Sequence, residues 1–537
     1  MRLRYAVLLR GESIEPWHVA CVGRLDGVAE LAAVIVAPRD RTTSTPRRGS
    51  RLLRWYEGRV GADSTPSVAE RFDHVPRHRA ESLGSIESGS FDFVLKLGPG
   101  QVPRGLEFLA RHGVWYFEHE VHWTRLPFFR EVYEGEAVTH AALLSTSLVP
   151  GHRAILEQAF FKTEQRSYAT SRDRVLESVA GWPARVCSRI HAGASVVRDD
   201  IAMDPGLVEV PPRLFHYLTR VTRRRLAFGW GRLARHPQWS IGILNVSAGE
   251  LVDAGAYRED EIKWLPLSDR RKFFADPFGI VRDGVLHILC ESFSYRESRG
   301  DIRQLEVMGG GAHTTPKHAL ALTGHASYPF LFEADDEIYC VPETSAANEV
   351  ALFRAVDFPR EWRKADVLLS GFPGVDPTVF VHEGRWWLLC TRKGALEDVE
   401  LWAWYSSSVF GPWIEHAHNP IKSDVRGSRP GGRPFHHKGV LYRPAQDCSR
   451  TYGWRVTLQR VSRLTPTEFR EEPLMVMQAS PQSRFPVGRH TLTPVGDMLL
   501  LDGRRDVFVW GAFRAFMKIW AADLAAKTRR RRGTRPT

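Results

Sequence analysis

The sequence predicts two architectures in one chain: an α/β N-terminal domain built on a doubly wound sheet, then an all-β five-bladed propeller. Three observations predict this. Up to about residue 190, short apolar runs alternate with helical stretches, the pattern of a parallel sheet with helices on its faces. From Trp239 onward one hairpin-forming pattern recurs five times. Finally, 537 residues exceed what a single ordinary core supports, so at least two domains are expected.

Composition narrows the class. With 43% hydrophobic and 25% charged residues the chain reads as globular rather than disordered or fibrous. No apolar run approaches the roughly 20 residues needed to span a bilayer, and "YAVLL" is too short for a signal-peptide core. The expected compartment is therefore the cytoplasm. Six scattered cysteines (21, 187, 290, 340, 390, 448) form no CxxC pair, so no zinc site or disulfide framework is expected, and no metal constellation with recognisable ligand spacing occurs elsewhere. Cys290, Cys340 and Cys390 lie fifty residues apart and read as small buried side chains at equivalent places of a repeat.

The formal charge of +12 is concentrated in 39–55, 219–236 and the tail 527–537. Such runs suit solvated linkers and ends or an anionic surface, and no specific nucleic-acid partner is expected. Before the tail, "FVWGAFRAFMKIWAADLAAK" places apolar residues at helical spacing. Residues 506–537 thus read as an amphipathic helix and basic tail that either pack on the protein or meet an anionic membrane at the inner face.

In the N-terminal domain, assigned to 1–195, "YAVLL" and "LAAVIVA" are strands separated by the helical "PWHVACVGRLDGV", and "FDFVLKLG" precedes "RGLEFLARHGVWYF". Residues 40–90, rich in Arg, Ser, Thr and Pro, read as a basic insertion or flexible segment. "LGPGQVPRG" (97–105) lacks dinucleotide-loop spacing. A basic helical linker is expected over 196–238, where prolines open "PPRLFHYLTRVTRRRLAFGWGRLARHPQW".

The propeller is assigned to 239–505. Its copies are "ADPFGIVRDGVLHILCE", "SYPFLFEADDEIYCVPE", "VDPTVFVHEGRWWLLCT", "GRPFHHKGVLYRPAQ" and "GRHTLTPVGDMLLLDG". Taking Asp276, Tyr328, Asp376, Arg433 and His490 as equivalent, the steps are 52, 48, 57 and 57 residues, a period that signals a repeat architecture. Each copy has two apolar runs split by a turn such as Asp283-Gly284 or Glu383-Gly384, which is a hairpin signal. Four strands per copy make a blade. Proline is expected at the start of each inner strand, where its missing N–H breaks no ladder bond.

Inner strands converge on the axis, so the leading residues are expected to line one polar pocket. Asp276, Asp376 and Glu343 are the candidate catalytic carboxylates, because glycoside chemistry needs one protonated and one ionised acid about an acetal. Tyr328, Arg429, Arg433, Asp447 and His490 are candidate substrate-binding residues for hydroxyls, a carboxylate or a phosphate. Trp264, Trp386 and Trp387 offer sugar-stacking faces or core packing.

These segments, with "HNPIKSDVRGSRPGGRPF" and "LYRPAQDCSRTYG", resemble the propeller region at the N-terminus of plant glucosamine inositolphosphorylceramide transferases and bacterial relatives. The "ADPF" and "VDPT" copies more distantly resemble five-bladed arabinanase-like glycosidases. That resemblance implies a base-like Asp276 with Asp376 and Glu343 as the other acids, and it departs from the pattern at Tyr328, where a further acid is expected. The first resemblance places transferase chemistry in a separate domain that this chain does not carry.

"FDFVLKLGPGQVPRGLEFLARHGVWYFEH", "RLPFFREVYEGEAVTHAALL" and "FKTEQRSYATSRDRVLES" resemble the catalytic domain of formyltransferases acting on methionyl-tRNA or amino sugars. The resemblance implies a formyltransferase-like site at Tyr116, Glu118 and His119. It is degenerate: Tyr116 and Glu118 stand where Asn and His are expected, and the segment due to bring an Asp, "SLVPGHRAIL", has no acid.

The expected function is therefore a carbohydrate-active protein of bacterial glycan or glycolipid biosynthesis. Its propeller binds a sugar, nucleotide sugar or glycolipid, with transfer or cleavage as the chemistry open to it and no cofactor required. Two alternatives stand beside it: an N-formyltransferase acting on an amino sugar with formyl-tetrahydrofolate, and a non-enzymatic glycan-assembly scaffold.

Overall fold

The computed structural model describes residues 2–508 apart from 11–13, 38–71, 73–74, 80–86, 104, 122–125, 147–151, 195–196, 198, 203–213, 233–234, 268, 309–311, 321 and 323. The chain forms two compact units, Met1–Arg224 and Arg225–Thr537. The expected C-terminal amphipathic helix lies outside the described residues beyond 508, and residues 506–508 belong to the last strand. Among the described residues, no helix is long and apolar enough to cross a membrane.

The first unit is built on an eight-stranded sheet of order β3-β2-β1-β4-β5-β6-β7-β8. Its strands are β1 (Leu3–Arg10), β2 (Ala29–Ala37), β3 (Arg77–Arg79), β4 (Phe93–Leu97), β5 (Val114–Phe117), β6 (Val138–Thr146), β7 (His152–Lys162) and β8 (Asp199–Ala202). Tyr5–Leu9 and Phe93–Leu97 are buried without alternation, as strands covered on both faces must be. On one face the rings of Tyr5, Phe93 and Trp115 stack across β1, β4 and β5, with centroids 5.1 and 3.8 Å apart. Helix α1 (Pro16–Leu25) packs against α4 (Tyr168–Val179) and α5 (Trp182–His191), while α2 (Glu118–Val121) and α3 (Phe129–Glu134) follow β5.

Three expectations for this unit need correction. The sheet is mixed: β3, β2, β1, β4 and β5 are parallel, but β6, β7 and β8 pair antiparallel. Only residues 147–151 separate β6 from β7, too few for the crossover that parallel strands require. The segment 40–90 is not wholly an insertion, since Arg77–Arg79 pairs with β2 as the parallel edge. Nor does the domain end at 195. Strand β8 lies beyond it, and helix α6 (Leu214–Arg232), placed in the linker by sequence, buries Tyr217 and Val221 against Leu126, Phe129, Val132 and Tyr168.

The second unit is a ring of five sheets. Blades one to three have inner strands Lys272–Arg282, Ser327–Ala334 and Gly374–His382; blade four begins with Phe435–His437 and blade five with Leu492–Val495. Blade five is completed by chain from the other end of the unit, because Met498–Phe508 pairs with Arg235–Leu244, which in turn pairs with Lys263–Trp264. This closure joins both ends of the ring, so the propeller begins at Arg235 and ends at Phe508, slightly outside the expected 239–505. The hairpin turns Asp283-Gly284, Asp335-Asp336, Glu383-Gly384 and Lys438-Gly439 each have two consecutive positive φ values, the geometry that matches strand twist. Cys290, Cys340 and Cys390 are buried on the second strands of blades one to three.

The prolines differ from expectation in three blades. Pro277, Pro329 and Pro377 stand within inner strands, each at a register shift, at Ala275/Phe278, Ser327/Phe330 and Val375/Thr378. A β-bulge leaves its extra residue out of the ladder, so a missing N–H is tolerated there as well as at a strand start. The preceding residues, Asp276, Tyr328 and Asp376, have φ of 50°, 46° and 51°, a left-handed conformation that bends the strand and re-aims its side chains.

Candidate functional site

At the bulges, hydrogen bonds join blades one, two and five. The Tyr328 N–H donates to Asp276 Oδ2 at 3.2 Å, and the Asp276 N–H to Asp502 Oδ2 at 3.2 Å. Thr491 Oγ1 donates to Asp276 Oδ1 at 2.9 Å. His490 lies between two carboxylates, with Asp502 Oδ2 2.5 Å from Nδ1 and Asp276 Oδ1 3.4 Å from Nε2. Trp239, on the closing strand, stacks on the imidazole at 4.1 Å. Across the axis, Asp376 Oδ2 accepts from Arg429 Nε at 2.6 Å and from Gln446 Nε2 at 2.7 Å. Arg429 also reaches Asp398 at 3.0 Å. Glu343 accepts from Ser345 Oγ at 2.7 Å.

Asp276, Glu291, Glu343, Asp376, Asp502, Arg429 and His490 are all buried. At the rim, Tyr452 is 42% exposed, with Arg429 over its ring at 4.9 Å and its edge on His490 at 5.4 Å. His325, also partly exposed, stands 3.8 Å from Glu291.

Burial and mutual repulsion push the carboxylates apart in acidity. Burial raises Asp376 to about 7 despite Arg429. Glu291 rises well above the usual carboxylate range, through burial and then Asp276, Glu343 and Asp376. Asp276 is raised, chiefly by burial. Asp502 goes the other way: burial opposes ionisation, but His490 and backbone N–H groups outweigh it. His490 is raised because Asp502 and Asp276 overcome its burial. Neighbouring carboxylates are thus shifted in opposite directions, the arrangement that suits paired acid and base roles.

Glu291 yields a test by linkage. Its folded pKa lies above its unfolded value, so folding takes up a proton in the intervening pH range and stability falls as pH rises through it. Glu291→Gln mimics the protonated form. Its unfolding midpoint should match wild type near pH 4 and exceed it near pH 8, as read by calorimetry, whereas a variant less stable at both pH values would overturn the assignment.

Sequence reasoning placed Asp276, Asp376, Glu343, Arg429 and His490 in this site, and the structure brings them together. Tyr328 and Arg433 turn elsewhere on the axis. The Tyr328 hydroxyl lies 3.0 Å from Thr378 Oγ1 and accepts the Gly432 N–H at 2.8 Å. Arg433 donates to the carbonyls of Gly279, Leu331 and Pro494, lacing blade four to blades one, two and five. These contacts hold inner strands together. Asp447, fully buried, pairs with Arg455 at 2.8 Å and accepts the Ser449 N–H at 2.9 Å. Trp387 is core, Trp386 packs on Phe332, and Trp264 packs on Phe485.

Glu291, Asp502, Gln446, Tyr452 and Trp239 were missed. Glu291 closes the first repeat copy where Glu343 closes the second, and both pair with the residue before a bulge, Ala275 and Ser327. Comparing the ends of the copies, as well as their beginnings, would have found it. One metal-compatible group occurs among the described residues, Asp276, His490 and Asp502, whose ligand atoms lie within 4.8 Å of one another. Sequence spacing gave no sign of it, and its atoms contact each other. A cavity of about 300 Å³ lies away from this site, lined by His382, Glu383, Leu441, Arg460 and Leu464.

In the first unit, Tyr116 is buried among Val102, Ala142, Leu144 and Ile155. Glu118 lies 3.5 Å from His140. His119 is set among Trp17, Phe117 and Phe128, with neither ring nitrogen hydrogen-bonded. Burial lowers it to about 4. Beside it, Glu120 accepts from His18 Nε2 at 2.7 Å and the Gly98 N–H at 2.8 Å.

Residues 267–486 match the family described as Glucosamine inositolphosphorylceramide transferase 1, N-terminal. The relative of that name from Oryza sativa subsp. japonica is 42% identical over 209 residues, covering 38% of this chain and 28% of its own length. The Arabidopsis thaliana relative is 40% identical over 205 residues, covering 37% and 27%. Among solved structures, the chain aligns with Zg3597, a family 117 glycoside hydrolase of Zobellia galactanivorans, at 13% identity, covering 50% of this chain and 91% of that one, with TM-score 0.34. It aligns with the GH62 α-L-arabinofuranosidase catalytic domain of Coprinopsis cinerea at 15% identity, covering 43% and 76%, with TM-score 0.30. The chain thus spans little more than a quarter of the length of the curated relatives it matches, and the matched segment lies within its propeller.

Proposed function

We propose that the propeller binds the sugar of a glycolipid or nucleotide sugar in the axial carboxylate site, as part of bacterial glycan or glycolipid biosynthesis in the cytoplasm. The observation that carries this is the set of five buried carboxylates drawn from four blades, with Asp376 and Glu291 raised and Asp502 lowered in pKa. Similarity to glycolipid transferases over residues 267–486 supports the choice of ligand. In the catalytic form of this reading, ionised Asp276 acts as base, and Asp376 or Glu343 supplies the acid at an anomeric carbon. Glu291 joins them as a carboxylate raised well above its usual range by burial and by Asp276, Glu343 and Asp376. Arg429 and His490 position the carboxylates, and Tyr452 offers an aromatic face at the rim.

Asp276→Asn keeps the shape and removes the charge. Product release from nucleotide-linked or lipid-linked sugars should fall at least about a hundredfold, the scale of one acid–base group. Wild-type turnover in a folded Asp276→Asn protein would end the catalytic claim. Sugar-dependent thermal shifts without turnover in either protein would leave a binding module, consistent with the scaffold alternative.

A second reading, formyl transfer to an amino sugar in the first unit, is favoured by His119, whose buried, unpaired imidazole is neutral at pH 7. A formyl-tetrahydrofolate analogue should then raise the melting temperature of wild type but not of His119→Ala. No shift at saturating ligand would remove this reading.

A further inference from the structure

Helix α6 carries two faces. One is anchored in the first unit: Tyr217 and Val221 are buried there, Arg220 donates to the Tyr133 carbonyl at 2.9 Å, and Arg224 donates to the Val132 carbonyl at 2.6 Å. These residues recur at the spacing of one helical face, so the helix cannot rotate without tearing out that contact.

The opposite stripe is apolar and open. At 100° per residue, Phe215, Leu218, Thr222 and Leu226 fall within about 80° of one another. Phe215 is 76% exposed, Leu226 69% and Leu218 48%, the first two being the most exposed large apolar side chains among the described residues. Arg223, exposed, falls beside this stripe. The 19-residue helix contains five arginines and no acidic residue.

We infer that this face of α6 docks on an anionic lipid bilayer, lying in the plane of the interface. Isolated exposed leucines need no explanation, but an aromatic and two leucines aligned on one stripe beside an exposed guanidinium, on a helix without acids, do. That arrangement suits the acyl–headgroup boundary, where the apolar face enters the membrane and Arg223 meets lipid phosphate. The absence of acids removes the repulsion that an anionic surface would otherwise impose. Docking here is independent of what the axial site binds, and it is distinct from any contribution of the 527–537 tail.

The test is flotation of the full chain with vesicles of phosphatidylcholine alone or containing about 30% phosphatidylglycerol. Wild type should bind the anionic vesicles, bind neutral ones at least tenfold less, and lose binding in high salt. Phe215→Ser with Leu226→Ser, and separately Arg223→Glu, should weaken binding at least tenfold with unchanged melting temperature, while removal of 527–537 should leave most of it. Failure of wild type to float overturns the proposal. So does wild-type binding by the Phe215→Ser, Leu226→Ser protein, or binding that disappears only with the tail. Self-association abolished by those serines, with no vesicle binding, would assign the face to a second copy instead.

Discussion

Gly432→Ala is expected to destabilise the propeller by about 4 kcal/mol or more, placing it among the rare large single-site effects. Gly432 has φ of +128°, a region that L side chains rarely occupy. A Cβ there would lie 1.9 Å from the Leu492 carbonyl oxygen, 2.6 Å from its carbon and 2.9 Å from the Leu492 nitrogen. All three are backbone atoms, so no rotamer change relieves the clash. The same residue forms an isolated parallel bridge with Leu492 and donates its N–H to the Tyr328 hydroxyl. Moving it would therefore part blade four from blade five and free a hydroxyl buried near the axis. Urea unfolding followed by tryptophan fluorescence reads the effect, and a midpoint near wild type would show that the close approach is not present in solution.

Arg429→Ala is expected to cost about 3–5 kcal/mol near pH 8, because it leaves a buried carboxylate without its counter-charge. Asp376 keeps the Gln446 amide as a side-chain partner, and Asp398 loses its cation as well. The penalty should shrink in acid. Asp376 has a folded pKa raised by burial to about 7 with Arg429 present, and losing the cation raises it further. Its ionisation then opposes folding above the unfolded value, so the variant approaches wild type as pH falls toward the ordinary carboxylate range and is weakest above about pH 7. Unfolding at pH 5 and pH 8 separates the cases. An equal loss at both would mean that packing by the arginine stem, rather than charge, is what Asp376 and Tyr452 lose.

These two residues mark where local pattern stops being informative. The repeat, its hairpin turns and the number of blades were legible in sequence, because a two-residue turn and strand alternation are local properties that recur at a fixed period. Convergence of Asp276, Asp376 and His490 was legible too, since equivalent ends of equivalent strands must meet at an axis. The destination of individual side chains was not. Asp276 and Tyr328 share a backbone conformation and a place in the repeat, yet one joins the carboxylate cluster and the other bridges Thr378 and Gly432. Side-chain length and the identity of the facing blade decide this.

The chain by itself determined the five hairpins, the buried cysteine positions, the parallel strand–helix alternation that opens the first unit and the polar character of the leading residues, two of them acidic. Tertiary structure alone decided that Arg235–Leu244 closes blade five and brings Trp239 onto His490, that β6 to β8 run antiparallel, and that Asp502 sits against His490 and Asp276. Each depends on contacts between residues far apart in the chain. Their energies come from burial and desolvation in the closed ring, quantities that a one-dimensional spacing does not contain.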